Sequence, residues 1–122
     1  PTIDASSLEK CSLDGVDCVL LKTNYWPVGA AFPHQIPVVN KEFIEILASH
    51  NIRLFGVDLP SVDDVDSKDL LNHHLLFQNG IHILESTDLS SVEEGKYEII
   101  ALPLKIKAGD ASPVRAVLRL NC

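Results

Sequence analysis

Two hydrophobic rhythms alternate along the chain, one of period two and one near 3.6. Residues 17–23, DCVLLKT, are a short β-rich run and predict a buried strand. Residues 24–39, NYWPVGAAFPHQIPVV, keep neither rhythm. Their three prolines, one glycine and one tryptophan predict an ordered loop. Asn40 then predicts the cap of a helix over 41–50, with Phe43, Ile46, Leu47 and His50 spaced to bury one face. Residues 52–57, IRLFGV, predict the next strand. This strand–loop–helix–strand order is a βαβ-like unit and favours an α/β layered fold.

Downstream, DLPSVDDVD (58–66) predicts an acidic turn, and Ser67 the cap of a second helix over 68–78 with Asp69 in its first turn. Asn79-Gly80 stops that helix, because glycine accepts the left-handed conformation required there. Residues 81–85, IHILE, return as a strand. Two β segments, 97–107 and 113–120, flank a turn around Gly109-Asp110 and predict a hairpin.

Composition narrows what such a chain can do. Its 122 residues fit one domain, and 46% hydrophobic with 22% charged residues is an ordinary globular balance. No apolar run approaches the roughly 20 residues of a membrane span, and no signal pattern opens the chain, so a cytoplasmic location is expected. The net charge of −7 divides as −3 over residues 1–61 and −4 over 62–122. So even an acidic surface argues against nucleic acid and anionic membranes, both of which call for a basic footprint. Cys11, Cys18 and Cys122 are odd in number and form no C-x-x-C pair, so neither a disulfide framework nor a cysteine zinc site is indicated. Cys18 reads as a small buried residue.

The candidate chemistry lies in 58–85. On a helical wheel His73 falls at a polar/apolar margin near Asp69, Leu76 and Phe77. His74 falls within the apolar arc of Leu70, Leu71 and Leu75. Such a pair reads equally as core or surface histidines with satisfied hydrogen bonds. Glu85 shares a strand face with Ile81 and Ile83, where an unpaired carboxylate is costly. About 9 Å of helix from His73 to its end and about 16 Å of returning strand leave the two residues about 7 Å apart along the axis, within side-chain reach. An imidazole beside a carboxylate suits zinc or manganese. Asp58, directly after a strand, is a further candidate ligand or else a turn cap. Asp63, Asp64 and Asp66 read as a solvated turn, although Asp63 too is a possible ligand.

The segments GVDLPSVD (56–63), DSK (66–68), NHHLLFQNGIHILE (72–85), DLSSV (88–92), GKYEIIALPLKI (95–106) and ASPVRAVL (111–118) carry a family resemblance in order and spacing. From about residue 51 to 120 the chain resembles the bacterial kynurenine formamidases, of the wider metal-dependent cyclase family. The resemblance implies a swivelling β/β/α fold, a divalent metal (zinc or manganese), a homodimer, and hydrolysis of amides such as N-formyl-L-kynurenine in tryptophan degradation. It matches His73 and Glu85 to two family metal ligands and favours His73 over His74. With that reading Asp69 could orient His73 from one turn away, and the loop 26–33 could equally line a pocket for an aromatic substrate, serve as a structural loop or make a dimer contact. The family's main metal motif, H-x-G-T-H-x-D with a following catalytic histidine, is absent, and His34 stands alone in the proline loop. The chain is therefore expected to be a single cyclase-like domain (1–122) lacking its N-terminal part, with the catalytic residues themselves unassigned. Leu59 stands where threonine is usual, and Ser86-Thr87 where glycine is common. Rival readings are a family member acting on a cyclic amide, imide or ester, and a non-catalytic domain that kept the fold without the metal site.

Overall fold

Asn40 starts a helix because its side chain accepts a hydrogen bond from the Phe43 N–H at 2.9 Å, satisfying one of the donors a helix leaves open. In this computed structural model, which describes residues 1–120 and so leaves Cys122 outside, helix α1 runs Lys41–Ser49. Of the expected inward face, Phe43 and Leu47 are fully enclosed, Ile46 is half-buried and His50 is exposed; Ile44 is buried instead, and the Phe43 ring meets that of Phe55 at 5.4 Å. Each enclosed apolar side chain contributes about 1.5–3 kcal/mol by leaving water.

Phe55 belongs to the central strand of a parallel sheet. Strand β1 (Thr2–Ile3) pairs in parallel with β3 (Val38–Val39), while β2 (Cys18–Leu21), β4 (Leu54–Val57) and β5 (His82–Leu84) form a three-stranded sheet in the order β2-β4-β5, all parallel. Parallel neighbours require crossovers, and α1 and helix α2 (Leu71–Gln78) are carried on them. The expected βαβ-like, mixed α/β organisation is thus present. Gly56 faces Leu20 and Leu84 in register, and a Cβ there would lie 2.3 Å from Leu20 Cδ2, so any larger residue would have to displace the Leu20 side chain. The end of the proline-rich loop departs from expectation, because Val38–Val39 pair with the first strand and Ile36 enters the core.

The second helix starts three residues later than expected. Leu70 adopts the left-handed conformation (φ 47°), which keeps residues 68–70 out of the helix. The Ser67 hydroxyl instead closes a local turn by accepting from the Leu70 N–H at 3.2 Å. The helix also faces inward on a different side. Leu76 is fully buried and Leu75 packs against the core, whereas Leu70, Leu71, His74 and Phe77 are exposed, so His74 itself faces solvent rather than the core. The reason is that the first turn is fixed by polar tethers at Asn72 and His73 rather than by an apolar stripe.

Contacts divide the chain into two compact units, Pro1–Ser91 and a second beginning at Val92. The second unit is an antiparallel hairpin of β6 (Tyr97–Pro103) and β7 (Val114–Leu120), with Tyr97 opposite Leu120 and Pro103 opposite Val114. The strand expected over 97–107 ends at Pro103, and the connection runs through 104–113 rather than a tight turn at Gly109-Asp110. Pro103 and Pro113 carry no N–H with which to extend the ladder. Within the connection the positive φ falls on Ala108, at 57°. Glu98 and Arg119, directly opposite, form an ion pair.

Candidate functional site

Because β2, β4 and β5 are parallel, their C-terminal ends lie on one edge of the sheet. Asp58 leaves the sheet there one residue after β4, and Glu85 one residue after β5. Open α/β sheets place ligands at this edge, where loops rather than strands decide the chemistry. The Leu59 carbonyl accepts from the Ser86 N–H at 2.8 Å and the Val57 carbonyl from the Thr87 N–H at 3.1 Å, extending the β4–β5 contact past the strands proper. Ser86 takes a positive φ of 56°, the conformation for which glycine is suited.

His73 and Glu85 meet across this edge. His73 Nε2 lies 3.1 Å from Glu85 Oε1, and the same oxygen accepts from the Val62 N–H at 2.9 Å. The expected burial of Glu85 among aliphatics is corrected: its side chain is 28% exposed and that of His73 32%. β5 ends at Leu84, so the carboxylate emerges at the rim of the sheet instead of within it.

Asp63 orients the histidine. The reading of Asp63 as part of a solvated turn is also corrected, since its side chain is only 6% exposed. Oδ1 accepts from the Asn72 N–H at 2.9 Å; Oδ2 accepts from the His73 N–H at 3.0 Å and lies 2.7 Å from His73 Nδ1. One carboxylate therefore caps the first turn of α2 and holds the imidazole. Desolvation pushes the Asp63 carboxyl up, but hydrogen bonds from the Asn72 N–H, the His73 imidazole and the His73 N–H outweigh it and hold it below its ordinary value. An ionised carboxylate at Nδ1 favours a proton on that nitrogen, and Nε2 is the ring nitrogen turned toward Glu85. Asp69, expected to play this part, is exposed and lies outside the helix because Leu70 interrupts it.

Asn72 is a tether that the sequence pattern did not single out. Its side-chain amide donates to the Val39 and Val62 carbonyls, each at 2.9 Å, joining the start of α2 to the end of β3. Asp58, 8% exposed, serves as a clamp. It accepts from the Thr23 N–H at 2.9 Å, the Thr23 hydroxyl at 2.6 Å and the Asn24 N–H at 2.8 Å. This geometry departs from a cap of the PSVDDVDS segment: Asp58 instead caps the chain at Thr23 and Asn24, beyond the end of β2. His34 and His74 are exposed and not part of the constellation.

Nε2 of His73 and Oε1 of Glu85 are both electron-pair donors. At 3.1 Å they attract a shared positive charge, whether a proton or a cation, and both can reach one cation at about 2.0–2.2 Å. The donor set therefore fits a divalent metal, with Asp63 behind the histidine in the position that tunes such ligands. Asp63 itself faces the other ring nitrogen, and among the described residues no group of three or more His, Cys, Asp or Glu side chains is placed to hold a metal ion.

Comparison with solved structures defines the class first. The chain superposes on "The structure of predicted metal-dependent hydrolase from Bacillus stearothermophilus" with a TM-score of 0.63 and 33% identity, over 72% of this chain and 42% of that one. It superposes on "The Structure Of Potential Metal-Dependent Hydrolase With Cyclase Activity" with a TM-score of 0.61 and 32% identity, over 68% of this chain and 41% of that one. No family model matches.

Curated sequences give a second similarity. Over 118 residues, 97% of the chain, it is 46% identical to the kynurenine formamidase of Bacillus cytotoxicus, 48% to that of Bacillus thuringiensis and 47% to that of Bacillus anthracis. The chain is similar to these kynurenine formamidases along nearly all of its own length, and it spans 56%, about half, of theirs.

Proposed function

We propose that the protein carrying this chain is a metal-dependent amide hydrolase that converts N-formyl-L-kynurenine to L-kynurenine and formate, a step of tryptophan degradation. The observation that carries the reading is the His73–Glu85 pair, oriented by Asp63, in a chain 46–48% identical to kynurenine formamidases. His73 and Glu85 supply two ligands to zinc or manganese, and the remaining ligands come from outside these 122 residues. The chain contributes in this way to a cyclase-like domain of swivelling β/β/α fold. The enzyme is a cytoplasmic homodimer; among the described residues no helix is long and apolar enough to cross a membrane, which is compatible with that placement.

The chain's own residues do three things in the reaction. Asp63 keeps the imidazole proton on Nδ1, so that Nε2 stays an electron-pair donor. Glu85 adds negative charge, and the Val62 N–H on its Oε1 holds that oxygen toward His73. Their partial exposure leaves the pair open to a substrate carbonyl. A divalent metal held by His73 and Glu85 would supply a water of lowered pKa and a Lewis acid for the formyl carbonyl.

The test is metal analysis and N-formyl-L-kynurenine hydrolysis by the full-length protein, compared with His73→Ala and Glu85→Ala. Loss of bound metal together with at least about a hundredfold loss of activity supports the assignment. Unchanged metal content and activity in both variants would sink it. A second reading, hydrolysis of a cyclic amide or imide, draws on the cyclase activity named for one structural relative and on the departures at Leu59 and Ser86. Faster turnover of isatin-like substrates than of N-formyl-L-kynurenine would favour it.

A further inference from the structure

Leu70 separates two hydrogen-bonding schemes at the start of α2. It adopts φ 47° and ψ 48°, a left-handed conformation that crowds any residue bearing a Cβ. Its side chain is 40% exposed, so packing does little to impose that conformation. A strained residue persists only where its surroundings over-determine it, and such residues gather at functional sites.

The surroundings here are the bonds of Asp63. Its carboxylate accepts from the Asn72 N–H at 2.9 Å and the His73 N–H at 3.0 Å, and it meets His73 Nδ1 at 2.7 Å. In a helix that began three residues earlier, the same two N–H groups would donate to the Lys68 and Asp69 carbonyls. That longer helix is close at hand. A serine cap at Ser67 would bond the third helical N–H, and this bond is already present, from the Leu70 N–H to Ser67 Oγ at 3.2 Å. Among the described residues of 66–78, Leu70 alone has a positive φ. A right-handed Leu70 would therefore let the helix run from residue 68 and transfer both N–H groups from Asp63 to the backbone. It would also bring Asp69 onto the turn before His73. The two schemes exclude each other, because each backbone N–H supplies a single donor.

We propose that Leu70 is a positioning residue for the His73–Glu85 pair. Its left-handed turn stops α2 three residues short and so gives the first-turn N–H groups, and with them the imidazole, to Asp63. A cation on His73 Nε2 and Glu85 Oε1 favours this stopped form, in which Asp63 backs the ring, over the extended form. The proposal rests on the metal-pair reading above and adds a second state of the same site.

The experiment compares full-length wild type with Leu70→Gly and Leu70→Val, using zinc ions alone as the probe. Glycine adopts the left-handed conformation freely and disfavours helix, whereas a β-branched residue resists the left-handed one. Competition with a chromophoric chelator measures zinc affinity, and the Cα chemical shifts of residues 68–70 report the backbone. Leu70→Gly is expected to bind zinc at least as tightly as wild type. Leu70→Val is expected to bind about tenfold more weakly, with helical shifts at 68–70 in the zinc-free protein that zinc reverses. A side chain needed only for packing predicts the opposite order, since glycine removes all of it and valine keeps most. Thermal unfolding checks that each variant folds, and Leu70→Ala, the strongest helix former, replaces Leu70→Val should that one not fold. Leu70→Gly binding zinc as weakly as Leu70→Val, or shifts at 68–70 that no substitution alters, overturns the proposal. Wild type that binds no zinc refutes the metal reading, and the shifts then decide the stop alone. Helical shifts in Leu70→Val against non-helical ones in wild type and Leu70→Gly uphold it, and uniform shifts overturn it.

Discussion

Replacing Asp63 with alanine removes an acceptor that is 6% exposed and receives bonds at 2.9, 3.0 and 2.7 Å. Two of these satisfy open N–H groups in the first turn of α2, whose N-cap residue, Leu70, makes no side-chain cap bond. Loss of a side-chain cap costs about 0.5–2 kcal/mol, and loss of a hydrogen bond to a charged group about 1.5–3 kcal/mol. Because the bonds share one carboxylate, their effects overlap, and the expected loss is about 2–4 kcal/mol. Urea unfolding followed by far-UV circular dichroism measures it as a lower midpoint at constant slope. Asp63→Asn separates the two roles. It keeps an acceptor for the Asn72 N–H and destabilises less, but it loses the charge and can present an amide N–H to Nδ1, which disturbs the imidazole tautomer. Metal affinity is then expected to fall about 10- to 100-fold at nearly native stability. Asp63→Ala within about 0.5 kcal/mol of wild type would refute the tether, and undiminished metal affinity in Asp63→Asn would refute the orientation of His73.

Gly56→Ala places a Cβ 2.3 Å from Leu20 Cδ2 and is expected to destabilise by about 1–3 kcal/mol, with partial rescue in the Leu20→Ala background; additive effects in that double-mutant cycle would refute the clash. Burial, reinforced by the charge of Asp17, pushes the Cys18 thiol up to about 11, whereas Cys11 is exposed. Iodoacetamide at pH 8 should label Cys11 well before Cys18 in peptide mapping. The neutral thiol is favoured by folding, so its contribution is complete below the unfolded value near 9 and is lost as pH rises toward 11. Cys18, read from the sequence as buried, is half-buried; a Cys18→Ala variant should therefore lose less stability than wild type between pH 9 and 11, and an identical loss in both would argue against the raised thiol.

Local chemistry made α1 legible, because Asn40 and the spacing of Phe43 and Leu47 point to the same helix that tertiary packing then uses. The strands were legible for a similar reason: short apolar runs bounded by turn residues have few other uses. Their ends were less so, since β5 ends at Leu84 and β6 at Pro103, where pairing rather than composition sets the limit. The rotation of α2 was not legible at all. A wheel ranks faces by hydrophobicity, whereas here Asp63 and Asn72 fix the first turn and leave Leu71, His74 and Phe77 outside.

The site divides along the same line. The chain alone brought His73 and Glu85 within reach, because a helix, a tight stop and a returning strand have lengths set by their rise per residue. The family resemblance led to the same two residues as expected metal ligands. Asp63 and Asp69 are both acidic and both lie close to His73 in sequence, so composition could not choose between them. The left-handed turn at Leu70 excludes Asp69, and the bend of 58–66 carries Asp63 to Nδ1. Asp58, likewise, bonds to residues 34 and 35 positions away, which only the pairing of β2 with β4 brings near. Contacts set by rise per residue and local capping can be read along the chain, whereas contacts made by strand pairing and a backbone turn exist only once the chain has folded.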